Sequence, residues 1–500
     1  MSTSYCLSKS KYLNGLQCPK LLWMSYHAKD QFPPTDPATQ AIFDQGNEVT
    51  TLAQTLFPGG IEIKGVEDIE AILKKTQELL PQRKPLFEAA LSFKNSLARA
   101  DILVPNKDGS WDLYEVKSST QVKDIHYEDV AFQKYCYEGA GLKIRKVYLV
   151  HINNQYVKNG PIDPAGLLHQ EDVTEQAEKL AAQVEERVNE MVRILNQKEC
   201  PKVAIGPQCS NPYDCSLQDL CWQHIPEDSV FILNRIRSDK AFAFINEGFL
   251  RAQDVPIDRL KAATHHIVHR CHSENKIHVD PAAIQAFIAK LQFPIHFIDF
   301  ETVSPAVPLY DGTRPFQQVP FQFSLHILHG PGEKLEHHAF LAEGTKDPRP
   351  EFLKRLKALI GPKGSIVAYN LDFERRCLAE SVSAYSEFED WFTAIEGRLL
   401  DLMGPFQKFD YYDPKQLGKY SIKSVYPALI GGSYKEMAIS EGGQASREYA
   451  RVTFADDITE EDRRRIYEGL LEYCKLDTKA MVDILNVLSA THQTTRPFHD

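Results

Sequence analysis

An apolar strand ending in acid, Ile295 to Glu301, restarts an α/β pattern that residues 1–225 have already run through once. A chain of 500 residues is too long for one hydrophobic core, so two or three domains are expected. In the first stretch, Ser8 to Tyr26 is read as a helix with Leu13, Leu16, Leu21 and Leu22 as its apolar positions. An extended segment lies within Ser92 to Val104, and Asp108-Gly109 marks a turn before a returning strand, Trp111 to Lys117. A helix over Asp124 to Gly139, a strand over Lys146 to Ile152 and a long helix over Asp172 to Gln197 follow. Residues 226–290 are expected to be a helical connector, with His265, His266, His269 and His272 as packing or surface residues. Residues 291–490 are expected to form a second α/β domain. Its further strands are Phe321 to Leu328 and Gly364 to Tyr369; a helix opens at Glu374, and a long one covers Thr459 to Leu488.

Composition adds exclusions. The chain is 43% hydrophobic and 25% charged, ordinary for a soluble globular protein. No apolar run approaches membrane-spanning length, and Met1 to Lys20 lacks the apolar region of a signal peptide, so the cytoplasm is the expected compartment and no membrane partner is expected. The net charge of −11 argues against a broadly basic nucleic-acid binder but leaves room for one cleft made attractive to phosphate by metal and local cations. Arg463-Arg464-Arg465 is read as a solvated helix face.

Carboxylates are grouped in both halves. Glu115 and Lys117 are two apart on a strand and share a face, and Asp101 ends the preceding strand of the same hairpin. In the second half Asp299 and Glu301 share a strand face, Glu374 follows a β-run, and Tyr473 and Asp477 stand at i,i+4 on a helix. Clustered carboxylates repel one another unless cations join them. Divalent metal held this way activates water and neutralises charge on a phosphate undergoing displacement, so the pattern suggests a nuclease with two active sites binding Mg2+ or Mn2+. Three of the ten cysteines, Cys209, Cys215 and Cys221, are evenly spaced in a short, polar, Pro-containing stretch unsuited to a packed core strand.

The order Asp101, Glu115-Val-Lys117, then Gln133 and Tyr137 at i,i+4 resembles the RecB-like branch of the PD-(D/E)xK nucleases. The resemblance implies a restriction-endonuclease-like α/β domain, with Asp101 and Glu115 as metal ligands and Lys117, Gln133 and Tyr137 as further site residues. Cys18, Cys209, Cys215 and Cys221 resemble the cysteines of that branch's iron–sulfur members, which implies a [4Fe–4S] cluster; a four-thiolate zinc site is the alternative. Two departures stand out. Family members commonly carry a metal-binding His four residues after a Gly, whereas Gly46 is followed at that distance by Thr50, leaving Glu48 or Glu88 as substitutes. The first cysteine gap of the trio is also wider than in several relatives.

The order Asp299-x-Glu301, Asn370 to Glu374, Tyr473 to Asp477 resembles the DnaQ-like exonucleases of RNase H fold, which read D-x-E, N-x-x-F-D, Y-x-x-x-D. Here Glu374 stands where the family usually has Asp, with Asp372 as fallback ligand. The resemblance implies metal ligation by Asp299, Glu301, Glu374 and Asp477, orientation of the nucleophile by Tyr473, and 3′→5′ polarity. Together with Phe297 to Thr302 and Tyr420 to Lys423, the chain resembles an uncharacterised bacterial family fusing RecB-like and DnaQ-like domains. The expectation is therefore a nuclease acting on nucleic-acid ends, single-stranded DNA favoured over RNA. The alternatives are a chain active only at the C-terminal site, with the N-terminal domain as a binding platform, and an inactive iron–sulfur scaffold.

Overall fold

The computed structural model describes residues 5–64, 68–434, 437–455 and 457–493. The chain is a mixed α/β protein of two compact units. The first comprises Met1–His224 with Pro305–Phe316, the second Ile225–Ser304 with Gln317–Asp500. Among the described residues no helix is long and apolar enough to cross a membrane.

The first unit opens with β1 (Leu7–Ser8), α1 (Lys9–Gln17), α2 (Pro19–His27) and α3 (Pro37–Gln54). The single helix expected over Ser8 to Tyr26 is two. Cys18 precedes Pro19, whose ring disfavours helical backbone in the residue before it, and Cys18 is extended at φ −161°. The break turns Cys18 out of the helical register. Next come β2 (Ile61–Glu62), α4 (Ile69–Leu79), β3 (Leu86–Phe93), β4 (Ser96–Pro105), β5 (Trp111–Lys117) and α5 (Asp124–Gly139). The stretch expected from Ser92 straddles the β3–β4 turn. The Asp108-Gly109 turn joins β4 to β5, with Gly109 at φ +87° and Asp108 Oδ1 accepting from the Ser110 amide at 3.1 Å. The unit continues with β6 (Ile144–Ile152), α6 (Pro164–Leu167), β7 (Leu168–Asp172), α7 (Thr174–Leu195) and α8 (Gln218–Cys221).

The sheet runs β2-β3-β4-β5-β6-β7, with β1 paired to β4. The β3–β4, β4–β5 and β6–β7 pairs are antiparallel; β5 and β6 are parallel. Its core on one face holds Leu22, Leu103, Leu113, Phe132, Val147 and Val188. On the other, Ala306 and Val307 join Val49, Phe87, Tyr114 and Val150, which makes the detour Pro305–Phe316 part of this unit's core.

The second unit begins with α9 (Ser238–Asn246), α10 (Ala263–Glu274), β8 (His278–Val279) and α11 (Pro281–Ile288). This stretch, expected as a separate connector, is instead part of the second unit. β8 pairs with a later strand, and Val230, Phe244, Leu260 and Val268 share a core with Phe409 and Tyr412. Three of its histidines hold local hydrogen bonds: the buried His265 meets the Asn234 carbonyl at 2.8 Å, the exposed His266 the Leu260 carbonyl at 2.6 Å and the half-buried His272 the Tyr412 hydroxyl at 2.9 Å. There follow β9 (Ile295–Val303), β10 (Val319–Leu328), β11 (Glu336–Leu341), α12 (Arg349–Leu359), β12 (Ser365–Ala368), α13 (Asp372–Ala384), α14 (Glu389–Glu396) and β13 (Leu399–Asp401). The unit closes with α15 (Gly404–Gln407), β14 (Tyr411–Tyr412), α16 (Ile422–Ile430), α17 (Gly442–Phe454) and α18 (Glu460–Gln493). Its main sheet runs β11-β10-β9-β12-β13, antiparallel across the first three strands and parallel across the last three. The strand bearing the acid pair is thus central.

Candidate active sites

In the second unit, β9 presents Asp299 and Glu301 to one cleft of about 450 Å³, which Glu374, Tyr473 and Asp477 also line. Alternation along the strand puts both acids on one side. α18 is fixed across the sheet by Gln322 Nε2 donating to the Leu470 carbonyl at 2.7 Å and by the Ser324–Thr478 hydroxyl pair at 2.7 Å. This lays Tyr473 and Asp477 over β9. Glu374 arrives by a turn: Asn370 lies at φ +70°, a region Asn tolerates better than most residues, and its amide donates to Asp401 Oδ1 at 3.0 Å. α13 then begins with Glu374 in its first turn. Glu374 is buried at 3% exposure, whereas the Asp372 side chain is 93% exposed, so Glu374 rather than the fallback faces the cleft. Arg375 turns to Glu396 at 3.5 Å, and neither it nor Arg376 lines the cleft.

The electrostatics are one-sided. None of the four carboxylates makes an ion pair among the described residues, and Glu374 Oε2 is buried without a hydrogen-bond partner. Asp477 Oδ1 accepts from the Tyr434 hydroxyl at 2.8 Å. Burial, with repulsion between the acids, drives the Asp299, Glu301 and Glu374 carboxyls well above the usual range; burial pushes Asp477 up to about 6. Lys423 is the nearby cation. It lines the cleft, donates to the Ser440 carbonyl at 2.7 Å, and lies 5.1 Å from the Tyr473 ring centre. Cys474, one residue past Tyr473, places Sγ 3.4 Å from Asp299 Oδ2, and Asp299, Glu301 and Cys474 bring ligand atoms within 4.8 Å of one another.

These raised values have a sign. A carboxyl that holds its proton more tightly folded than unfolded contributes stability at low pH, and loses it as pH rises through the folded value. Without metal the second unit is therefore expected to lose stability from about pH 4 upward through about pH 6, on the order of 2–3 kcal/mol for Asp477 alone. Divalent metal, which binds the ionised form, is expected to raise the melting temperature more at about pH 8 than at about pH 5. Calorimetry with EDTA or Mn2+ checks this; an equal metal effect at both values speaks against the carboxylates as ligands.

In the first unit Asp101 lies on β4 and Glu115 on β5, the two paired strands of one hairpin. Asp101 Oδ2 accepts the Val116 amide at 2.7 Å, and burial, then Glu115, raises the Asp101 carboxyl to about 7. Glu115 has both oxygens engaged: Oε1 accepts from Lys117 at 2.7 Å and Lys9 at 2.6 Å, and Oε2 from Gln133 at 2.7 Å. Lys117 also bonds Asp129 Oδ2 at 2.6 Å. Lys9 and Asp129 were not among the residues expected from sequence; Asp129 lies four residues before Gln133 on the same helix stripe, which is the signal that would have found it. Thr50 and Glu88 line a cleft of about 400 Å³ with Lys9, Arg99 and Asp101. The Thr50 hydroxyl donates to the Gly46 carbonyl at 3.0 Å, and Glu88 pairs with Arg99 at 2.7 Å.

Tyr137 differs from its expected role. It is fully buried; its hydroxyl donates to the Ala89 carbonyl and accepts the Ala100 amide at 2.9 Å, so it locks β3 and β4 rather than facing the cleft. Tyr137→Phe leaves both backbone groups unpaired and is expected to cost about 2–3 kcal/mol in urea unfolding. A loss below about 0.5 kcal/mol contradicts this role.

Cys18, Cys209, Cys215 and Cys221 line one small pocket with Leu21, Leu217 and Gln218. All four are free thiols, half-buried. The loop is folded on itself by the Cys215 amide bonding the Cys209 carbonyl at 2.9 Å, and is tied to α1 by Gln17 Nε2, which donates to the Gln208 and Tyr213 carbonyls at 2.8 and 2.7 Å. Cys200, not expected from sequence, packs beside this cluster.

Residues 296–421 match the model of a family described as a domain of unknown function, DUF2779, a span that includes Asp299, Glu301, Glu374 and Asp401. The chain is 26% identical over 250 residues to the uncharacterized protein UU173 of Ureaplasma parvum, covering 46% of this chain and 36% of that protein. It is 28% identical over 207 residues to the MG366 homolog of Mycoplasma pneumoniae, also uncharacterized, covering 38% and 31%. The matches thus span about a third of the length of these relatives. The crystal structure of SSO0001 aligns with 44% of this chain and 87% of its own at 12% identity, with a TM-score of 0.22.

Proposed function

We propose that the protein is a divalent-metal-dependent nuclease and that the second unit cuts the phosphodiester bond. The observation that carries this reading is the set Asp299, Glu301, Glu374 and Asp477, three buried acids and one half-buried acid on one cleft, with no basic ion-pair partner among the described residues. Such a set is repulsive alone and becomes favourable with Mg2+ or Mn2+. Its donors are oxygens of hard-cation type, and the orphaned Glu374 Oε2 fits a ligand role. When bound, the metal supplies an activated water and charge neutralisation at the phosphate. The chain's own residues do the rest. The carboxylates hold their positions because β9 and α18 are cross-bonded, Tyr473 borders the place where the nucleophile must stand, and Lys423 offers a cation to an approaching phosphate. The mixed sheet with its acid pair on the central strand supports an RNase H-like, DnaQ-like domain; the DNA-end preference and 3′→5′ polarity follow only from that likeness.

The first unit is read as a PD-(D/E)xK-like domain serving as a binding platform, favoured by Lys9, Lys117 and Gln133 engaging both oxygens of Glu115. The four converging cysteines support a [4Fe–4S] cluster. A four-thiolate zinc site is the alternative, and iron and zinc analysis of the purified protein separates the two. The test is degradation of end-labelled single-stranded DNA and RNA with Mg2+ or Mn2+; no degradation of either rejects the nuclease reading.

A further inference from the structure

The RecB-like resemblance implies a divalent metal at Asp101 and Glu115, and the residues present do not fit one. Glu115 has both oxygens engaged, one by two ammonium groups and one by an amide. Asp101 has one oxygen engaged by the Val116 amide. The position expected to supply an imidazole is Thr50, whose hydroxyl bonds its own helix. Mg2+ at a phosphate site is held by one or two carboxylates, with water and phosphate oxygens completing its shell, so the carboxylate oxygens offered to it must be clear of competing cations. Among the described residues no three metal-type ligand atoms of this site come within 4.8 Å of one another, while Asp299, Glu301 and Cys474 do so in the second unit.

What fills the place is Lys9. Its Nζ lies 2.6 Å from Glu115 Oε1 and 3.8 Å from Asp129 Oδ1, and its side chain is only 28% exposed. The backbone puts it there. Leu7–Ser8 pairs with Ser96 and Leu97 of β4, the Leu7 amide donates to the Asn95 carbonyl at 2.7 Å, and the far end of α1 is held through Gln17. Two carboxylates, Glu115 and Asp129, are thus met by two fixed ammonium groups, Lys9 and Lys117.

We propose that Lys9 takes the place of the divalent cation in the first site, so that Glu115 and Asp129 are compensated by the protein's own Lys9 and Lys117 and no metal binds at Glu115. The idea does not rest on hydrolysis in the second unit, because its readout is bound metal rather than cleavage.

The test counts Mn2+ bound by the full-length protein, from the loss of the aqueous Mn2+ resonance. Glu115→Gln and Asp101→Asn are each expected to bind as many Mn2+ ions as wild type. Lys9→Gln is expected to bind one more, and Lys9→Gln combined with Glu115→Gln to lose that extra ion. The proposal is overturned if Glu115→Gln or Asp101→Asn binds one ion fewer than wild type, or if folded Lys9→Gln gains none. Should Lys9→Gln fail to fold, the two carboxylate variants decide the matter. An inactive but metal-binding second unit would sink the nuclease reading and leave this count unaffected.

Discussion

Asp299→Ala is expected to lower nuclease activity by at least about a thousandfold, the scale on which a preorganised electrostatic stabiliser is felt in catalysis. Asp299 sits on the central strand, with its carboxyl 3.4 Å from Cys474 Sγ, and lines one cleft with Asp477. Removing it strips one ligand and frees the remaining acids to shift, while relieving repulsion; the folded protein is therefore expected to be no less stable, and catalysis alone to fall. Two controls sharpen the reading. Asp372→Asn, at a side chain 93% exposed, is expected to leave the rate within about twofold, the range of ordinary surface changes. Glu374→Gln is expected to match Asp299→Ala. Initial rates on labelled single-stranded DNA with Mn2+ decide it: wild-type rates for Asp299→Ala mean that the second site is not the catalyst, and full loss from Glu115→Ala in a folded protein means that the first site cuts as well.

Cys18→Ser is the variant with the largest expected effect on stability. Cys18 lies in the break between α1 and α2, and Cys209, Cys215 and Cys221 come from a loop about 190 residues further along the chain. Tying those ends through one cluster removes roughly 4–5 kcal/mol of loop-closure entropy from the unfolded chain. Loss of one of four thiolates is expected to release the iron and with it most of that stabilisation, since cluster binding and folding are linked. Anaerobically purified wild type is expected to be brown with broad absorption near about 400 nm, and Cys18→Ser colourless with a lower urea midpoint for the first unit. Cys200→Ser is the control. Cys200 packs against the cluster side chains but does not line their pocket, so iron content is expected to be unchanged. A colourless wild type with stoichiometric zinc overturns the iron–sulfur assignment.

Much of the second site was legible along the chain because its signals are local. Asp299 and Glu301 share a strand face by alternation, and Tyr473 and Asp477 share a helix face by the i,i+4 rule. The helix over Asp124–Gly139 was also legible to the residue. What was not legible depends on partners far away in sequence. Lys9 reaches Glu115 across 106 residues, Ser324 meets Thr478 across 154, and Tyr434 meets Asp477 across 43. Lys423 entered only as part of the Tyr420 to Lys423 run, and Cys474 drew no notice beside Tyr473. The separate connector failed for the same reason: the helical pattern of 226–290 is real, but Phe409 and Tyr412, which complete its core, lie over a hundred residues on.

By itself, then, the amino-acid order determined the acids and their face, and it also carried the Pro19 break that the single-helix expectation missed, because alternation, helical period and the steric reach of a proline act within a few residues. Only the tertiary structure decided what those acids meet. In one unit Glu115 finds two ammonium groups and an amide; in the other Glu301 and Glu374 find further acids and no ion-pair partner among the described residues. Charge compensation is a property of three-dimensional neighbours, so two similar-looking carboxylate patterns end in opposite electrostatic states.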